Sequence, residues 1–274
     1  MAPYTLGVPG ESKIKYLLFA GVMSAEKEKA LREKAKEQLQ TFLAECKVRD
    51  FRGKRILEIG FKNGVFLDEC VKAGLAPVGL EVVKSFCDDV KNKLPHLELI
   101  LYDGGRFPVP DESFDFVVSF QVLEHVKSTE HIFNECIRVL RPGGIMYHVI
   151  PNYHSFYEGH YSVLWFPFLN KFLGRLYLKL LRKYNNYYES LNLVKPRTIR
   201  RDLKIHENRL KVLSLGREEF ISKFNPHQIN KVNQKFLRGI LKCFLALPLL
   251  KNTLLYLVTR ANIYYPITVI AQKL

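Results

Sequence analysis

The chain has 274 residues, 47% hydrophobic and 25% charged, enough for a substantial core; this excludes a mostly disordered chain, a collagen and a multi-pass membrane protein. Forty-two Lys and Arg against 27 Asp and Glu leave a net charge of +15, shared unevenly: residues 1–150 carry 21 basic and 21 acidic side chains, residues 151–274 carry 21 basic and 6 acidic. A neutral module is thus followed by a basic one, whose charge favours an anionic partner such as RNA, a lipid surface or a phosphorylated substrate.

Residues 1–23 read as irregular, with Pro3, Pro9 and Gly10. Segment 13–25 is a poor signal peptide, because its apolar run is short and follows Pro, Gly and Glu. Ser24 is placed to cap a helix reaching Cys46, with Leu31, Ala35, Leu39, Leu43 and Cys46 on one face. From Arg55 short apolar runs alternate with helical stretches. Strands are predicted at 55–59, 77–80, 97–101, 114–119 and 144–150, and the helix after the fourth carries Ile132, Cys136, Val139 and Leu140. Such alternation predicts a parallel sheet covered on both faces.

After Pro151 the regularity fails. Residues 152–195 are rich in Tyr, Phe, Leu and Lys without a clean strand. Residues 211–215 read as a strand, a long helical region follows, and 266–272 read as a closing strand. The expected divisions are an N-terminal extension and helix (1–50), a sheet-bearing core (51–150) and a basic aromatic insert with later helices and a closing strand (151–274). The apolar region 236–258 is interrupted by Arg238, Lys242, Pro248 and Lys251, so it falls short of the roughly 20 apolar residues a spanning helix needs. A buried core helix and an interfacial amphipathic helix fit its pattern equally. The five cysteines (46, 70, 87, 136 and 243) are scattered, and no Cys/His cluster has zinc spacing. This pattern reads as reduced thiols of a cytoplasmic protein with no metal.

The first strand and its turn read Leu57-Glu58-Ile59-Gly60-Phe61-Lys62-Asn63-Gly64. A glycine at the strand end lets a ligand approach the backbone, and the following helix offers free N–H groups. Glu81 ends the second strand, 21 positions after Gly60, where a carboxylate can grip a ribose diol. Three further segments sharpen the pattern: Tyr102-Asp103-Gly104-Gly105 after the third strand, Phe120-Gln121-Val122-Leu123-Glu124-His125-Val126 out of the fourth, and Leu140-Arg141-Pro142-Gly143-Gly144 into the fifth.

Together these segments resemble the class I S-adenosylmethionine-dependent methyltransferases, most closely the small-molecule type with a VLEHV segment. The resemblance covers about residues 50–153. It implies a Rossmann-like, mainly parallel sheet of seven strands with an antiparallel last strand, and S-adenosylmethionine as cofactor. By that resemblance Glu58 and Gly60 lie near the methionine part, Gly64 makes the tight turn and Glu81 takes both ribose hydroxyls. Val82 flanks the adenine, Asp103 accepts from its amine with Gly104 alongside, and Phe120 and Gln121 line the cofactor channel. The family usually has a second glycine where this chain has Lys62. That cation either crowds the cofactor or pairs with its carboxylate, and crowding would leave a non-catalytic scaffold.

Methyl transfer from a sulfonium is an in-line displacement, in which positioning supplies on the order of 7–11 kcal/mol. A hydroxyl acceptor also gains about 10²–10⁴-fold from a base. His125 after the fourth strand, and His154 and His160 after the fifth, are the candidates; each is otherwise a packing histidine, and Glu124 reads as the charge at a helix start. No phosphate loop, HExxH or GxSxG is present, nor the Asn/Asp-Pro-Pro-aromatic segment of many base-amine methyltransferases.

The acceptor side is read from residues 151–195, where Tyr153, Phe156, Tyr157, Tyr161, Trp165 and Phe166 crowd around His154 and His160. Its Pro-Asn-aromatic start loosely resembles methyltransferases of glycans and lipid-linked sugars. The expected acceptor is a small or lipid-linked molecule, methylated at a hydroxyl, with peripheral association at an anionic membrane surface. RNA is the second choice, through aromatics interleaved with Lys and Arg and the cationic stretch 195–204.

Overall fold

A computed structural model describes residues 25–222 and 248–274. Ser24, Cys243, most of segment 13–25 and the first half of the apolar region 236–258 lie outside the described residues.

Helix α1 (Ala25–Glu45) precedes an alternation of strands and helices: β1 (Arg55–Ile59), α2 (Val65–Ala73), β2 (Ala76–Glu81), α3 (Lys84–Lys93), β3 (Glu98–Leu101), β4 (Phe114–Phe120), α4 (Thr129–Val139) and β5 (Leu140–Ile150). The insert follows with a two-residue hairpin, β6 (Tyr157–Glu158) and β7 (Val163–Leu164), then α5 (Lys171–Leu180), α6 (Tyr187–Ser190) and α7 (Pro196–Lys204). Strand β8 (Leu210–Ser214), α8 (Arg217–Ser222), α9 (Pro248–Arg260) and β9 (Ile267–Lys273) close the described chain. The main sheet has seven strands in the order β3-β2-β1-β4-β5-β9-β8. Pairing is parallel from β3 to β5, and β9 runs antiparallel to both β5 and β8. The expected Rossmann-like sheet is therefore present, with its last strand reversed.

Period-2 alternation sorts the strand side chains between two layers. Leu57, Ile59, Val117, Met146 and Val269 enter one core beneath α4 and α7, while Ile56, Phe116, Val118 and Tyr147 enter the other beneath α1 and α2. The apolar face of α1 includes the fully buried Phe42, three residues after Leu39, which packs edge-on against Phe116 and Tyr147.

Two local expectations change. The helix after β4 does not start at Glu124: Ser128 caps α4, its Oγ accepting the His131 N–H at 3.1 Å. The cationic stretch 195–204 is mostly α7, with Pro196 in its first turn. Ile199 and Leu203 are buried, and the buried Asp202 accepts a hydrogen bond from Thr129 on α4. Its four-residue apolar spacing makes the patch one face of a packed helix.

A buried ion cluster fastens α1 to α2. Asp68 and Glu69 are each 5% exposed. Asp68 receives Arg32 at 2.7 Å, Lys72 at 2.8 Å and His96 at 3.0 Å. Burial alone would raise the Asp68 pKa, but the hydrogen bonds from Lys72 and Arg32 outweigh it and hold it below 3.8. A carboxylate depressed in the folded state stabilises fully above its unfolded pKa, and this contribution drains away as pH falls through the folded value. Unfolding midpoints of the wild-type chain should therefore fall more steeply below about pH 4 than those of Asp68→Asn. Parallel pH profiles would remove this cluster from the account of acid stability.

Candidate functional site

The turn after β1 runs along the carboxyl ends of the parallel strands, where open α/β sheets bind ligands. Three of its residues have left-handed backbone: Gly60 (φ 74°), Lys62 (φ 48°) and Gly64 (φ 68°). A Cβ on Gly60 would lie 2.6 Å from Val122 Cγ2, so only glycine lets this turn sit under the segment leaving β4. A Cβ on Gly64 would lie 2.5 Å from Val90, which sets α2 against α3. Lys62 adopts without glycine the conformation that the family's second glycine would favour, and it is exposed.

Glu81 ends β2 and is 5% exposed. Its Oε1 accepts the N–H groups of Val82 at 2.8 Å and Val83 at 3.1 Å, and its Oε2 accepts that of Lys62 at 3.2 Å. Burial raises its pKa, and the three amides oppose that rise. Glu58, one strand over, is also 5% exposed, and its Oε2 has no hydrogen-bond partner. Burial, then the charge of Glu81, pushes Glu58 up to about 8. An orphaned buried carboxylate oxygen calls for a donor, and a ligand amine or hydroxyl can supply one. Asp103 is exposed at the end of β3, its Oδ1 accepting the Gly105 N–H at 2.8 Å. A Cβ on Gly104 would lie 3.8 Å from Val82, so these two residues are neighbours. Phe120 packs edge-on against Phe66 at 4.9 Å. Gln121 is left-handed (φ 56°) and exposed, its N–H donating to Val149 at 2.8 Å. The ten residues of the cofactor expectation thus lie on the β1 turn and at the ends of β1, β2, β3 and β4.

The histidine expectation divides. His125 and His160 converge on Glu124, with their Nε2 atoms 4.0 and 3.7 Å from its Oε1. His154 is outside this group; its backbone N–H donates to Asn152 Oδ1 at 2.8 Å. Glu124 is 0% exposed, with neither oxygen hydrogen-bonded, and burial pushes it up to about 7. Burial, then the charges of His160 and Lys62, pushes His125 down to about 4. The charge of Lys62 thus bears on both Glu81 and His125, which links the β1 turn to this cluster.

The insert completes the cluster from above. Glu158 Oε1 lies 2.8 Å from His160 Nδ1 and accepts the Tyr153 hydroxyl at 3.3 Å. The Tyr187 hydroxyl lies 3.1 Å from His125 Nε2. Asn192 N–H donates to the Glu124 carbonyl at 2.7 Å, tying the far end of the insert to this loop. Tyr153, Trp165 and Tyr188 form the insert's own core. Sequence reasoning read Glu124 as a helix-start charge and passed over Glu158 and Tyr187, because local pattern shows a charged or aromatic residue but not its burial. A cleft on another part of the surface, lined by Arg200, Arg217, Arg260 and Tyr264, contains none of these residues.

Residues 57–148 match the family described as a methyltransferase domain. This segment, about a third of the chain, is a methyltransferase domain. It is 33% identical over 107 residues to a probable S-adenosylmethionine-dependent methyltransferase of Mycolicibacterium smegmatis, covering 39% of this chain and 42% of that protein. It is 25% identical over 100 residues to a ubiquinone biosynthesis O-methyltransferase of Coxiella burnetii, covering 35% of this chain and 43% of that protein. The chain therefore spans less than half the length of these relatives. Among solved structures, a geranyl diphosphate methyltransferase in complex with S-adenosylmethionine is similar with TM-score 0.55 and 13% identity, over 98% of this chain and 93% of that one. An S-adenosylmethionine-dependent methyltransferase from Mesorhizobium loti has TM-score 0.54 and 17% identity, over 82% and 93%. These likenesses concern the fold.

Proposed function

We propose that this chain transfers the methyl group of S-adenosylmethionine to a hydroxyl of a small or lipid-linked acceptor, a glycan among the candidates. The observation that carries this reading is the Glu81 carboxylate, buried and fixed by three backbone amides beside a left-handed turn. A carboxylate held this way is preorganised to accept from two vicinal ribose hydroxyls. Val82 and Gly104 then flank the adenine, Asp103 accepts from its amine, and Glu58 and Gly60 meet the methionine part. Phe120 and Gln121 line the channel toward the acceptor.

When bound, the cofactor supplies an electrophilic methyl on a sulfonium. The acceptor oxygen forms a bond to that methyl as the carbon–sulfur bond breaks, and S-adenosylhomocysteine leaves as a neutral thioether. The acceptor proton leaves on the side of Glu124, His125 and His160, the cluster that faces the cofactor turn. The insert's aromatic core holds this cluster in place and keeps water from the Glu124 carboxylate, while His125 and His160 stay partly exposed.

Helix α5 supports a lipid-linked acceptor at an anionic membrane surface. On this helix Phe172, Leu176 and Leu180 recur every four residues and are 61, 49 and 81% exposed; Phe168, 72% exposed, precedes the helix, and Lys179 lies in its last turn with Arg182 and Lys183 just beyond it. Such a stripe suits burial in a headgroup layer, where each nearby basic side chain adds about 1 kcal/mol on an anionic leaflet. Among the described residues no helix is long and apolar enough to cross a membrane.

Lys62 is assigned to the cofactor carboxylate. An exposed ion pair contributes up to about 1 kcal/mol, so Lys62→Gln should weaken binding roughly two- to fivefold and flatten its salt dependence. Tighter binding by this variant would mean instead that Lys62 crowds the cofactor, as the scaffold alternative requires. Calorimetric titration of S-adenosylmethionine and S-adenosylhomocysteine into the wild-type chain tests the reading itself. One saturable site is expected for each, and no binding of either would overturn it.

A further inference from the structure

Glu124, His125 and His160 form an arrangement that acid–base chemistry alone does not explain. Glu124 is fully buried, with two oxygens that no hydrogen bond satisfies. Burying a carboxylate without a partner is costly, and native proteins normally resolve it with a cation or donors. Its own backbone N–H and the His160 ring, 3.7 Å away, offset that cost only in part. The imidazole Nε2 atoms face its Oε1 from two sides, and one atom of each residue lies within 4.8 Å of the others.

The outer partners add a second, independent sign. A metal-bound histidine usually gives its other ring nitrogen to a carboxylate or carbonyl, which fixes the tautomer and aims the free lone pair. His160 has this support: Glu158, itself 2% exposed, holds Nδ1 at 2.8 Å and leaves Nε2 toward Glu124. Glu158 is held in turn by the Tyr161 N–H at 2.7 Å and the Tyr153 hydroxyl at 3.3 Å.

We propose that Glu124, His125 and His160 bind a divalent first-row transition metal ion at the acceptor end of the site. Donors about 2.0–2.2 Å from such an ion stand roughly 3–3.5 Å apart. The Glu124–His160 and Glu124–His125 separations of 3.7 and 4.0 Å lie near that range, and the three donors, all within 4.8 Å of one another, contract onto the ion to reach it. Two imidazoles and one carboxylate favour Zn²⁺, Mn²⁺, Fe²⁺ or Co²⁺ over Mg²⁺ or Ca²⁺, which prefer all-oxygen shells. Three protein ligands leave positions open for an acceptor oxygen. The Tyr187 hydroxyl, 3.1 Å from His125 Nε2, is the group the ion displaces.

The role of the ion rests on the methyltransferase reading. A hydroxyl bound to a divalent cation loses its proton to water far more readily than a free one. The metal-held alkoxide oxygen then bonds to the methyl carbon as the sulfonium bond breaks, and the metal keeps its oxidation state. The ion thereby does the work for which sequence reasoning sought a histidine base.

The full chain, stripped with a chelator, is titrated with Co²⁺ and followed by its visible absorption. One equivalent is expected, displaced by Zn²⁺. Glu124→Gln and His160→Asn should each weaken Co²⁺ binding at least about a hundredfold, and Glu158→Gln about 10- to 100-fold. If the buried Glu124→Gln chain fails to fold, His125→Asn and His160→Asn carry the test, since those side chains are 34 and 18% exposed. Absence of a saturable Co²⁺ band, or binding unchanged in the ligand variants, overturns the proposal. S-adenosylmethionine binding is measured on the same samples. A chain that binds cofactor but no metal loses the ion and keeps the methyltransferase reading; the converse keeps the ion and loses that reading.

Discussion

Glu81→Ala is expected to lower the affinity for S-adenosylmethionine about 10²- to 10⁴-fold. A hydrogen bond to a charged acceptor contributes about 1.5–3 kcal/mol, two ribose hydroxyls are lost together, and each 1.4 kcal/mol is about tenfold. The substitution also strips the Val82, Val83 and Lys62 amides of their common acceptor, loosening the turn proposed to hold the cofactor. Glu81→Gln keeps the shape of the side chain but only one acceptor oxygen, and should fall between the two. Calorimetry reads the effect, with circular dichroism confirming that each chain is folded. Equal affinities across the series would remove Glu81 from the ribose and with it the main support for the cofactor site.

Gly60→Ala is expected to cost activity on the order of 10²-fold or more. A left-handed backbone costs a non-glycine residue about 1–2 kcal/mol, and the new Cβ would lie 2.6 Å from Val122 Cγ2. Val122 can yield only by moving the segment that carries Glu124 and His125. Displacing reacting groups by about 1 Å is enough for a loss of about 10²-fold. The double variant Gly60→Ala/Val122→Ala removes the clash and leaves only the backbone cost. It should recover most of the loss in labelled-methyl turnover, whereas no recovery would show that the coupling between the turn and the β4 segment is misassigned.

The sheet was legible because its strands are apolar runs bounded by turn residues, and all seven main-sheet strands lie within a residue or two of their predicted places, except that β5 starts four residues earlier, at Leu140. The geometry of the proposed cofactor turn was legible for a similar reason: the left-handed backbones of Gly60 and Gly64 and the strand-end position of Glu81 are properties that spacing encodes. The proposed acceptor end was not. Glu124 follows β4 and looks like the acidic start of a helix, but the helix begins at Thr129 and the carboxylate is sealed beneath the insert. His160 reaches it from 36 positions away through a chain path with no repeating pattern. Local periodicity carries no information about such long-range contacts.

Helix α5 and helix α7 show the same limit from opposite sides. Residues 195–204 have a strong cationic signature, yet Ile199 and Leu203 bury a face of α7. The apolar residues of α5 read equally well as core, yet Phe172 and Leu180 are exposed while Gly174 and Leu178 face inward. A Cβ on Gly174 would fall 2.2 Å from the Tyr188 hydroxyl, so this glycine lets the helix sit on the insert's aromatic core. Which face of an apolar helix is covered depends on its neighbours, and composition does not report that.

The most direct test is to incubate the purified chain with methyl-labelled S-adenosylmethionine and a whole-cell extract, then count label in the lipid-soluble, small polar, RNA and protein fractions. Label in the lipid-soluble or small polar fraction, lost with Glu81→Ala, is the predicted result. Label confined to RNA or protein would contradict the acceptor assignment, and no label in any fraction would contradict the proposed activity.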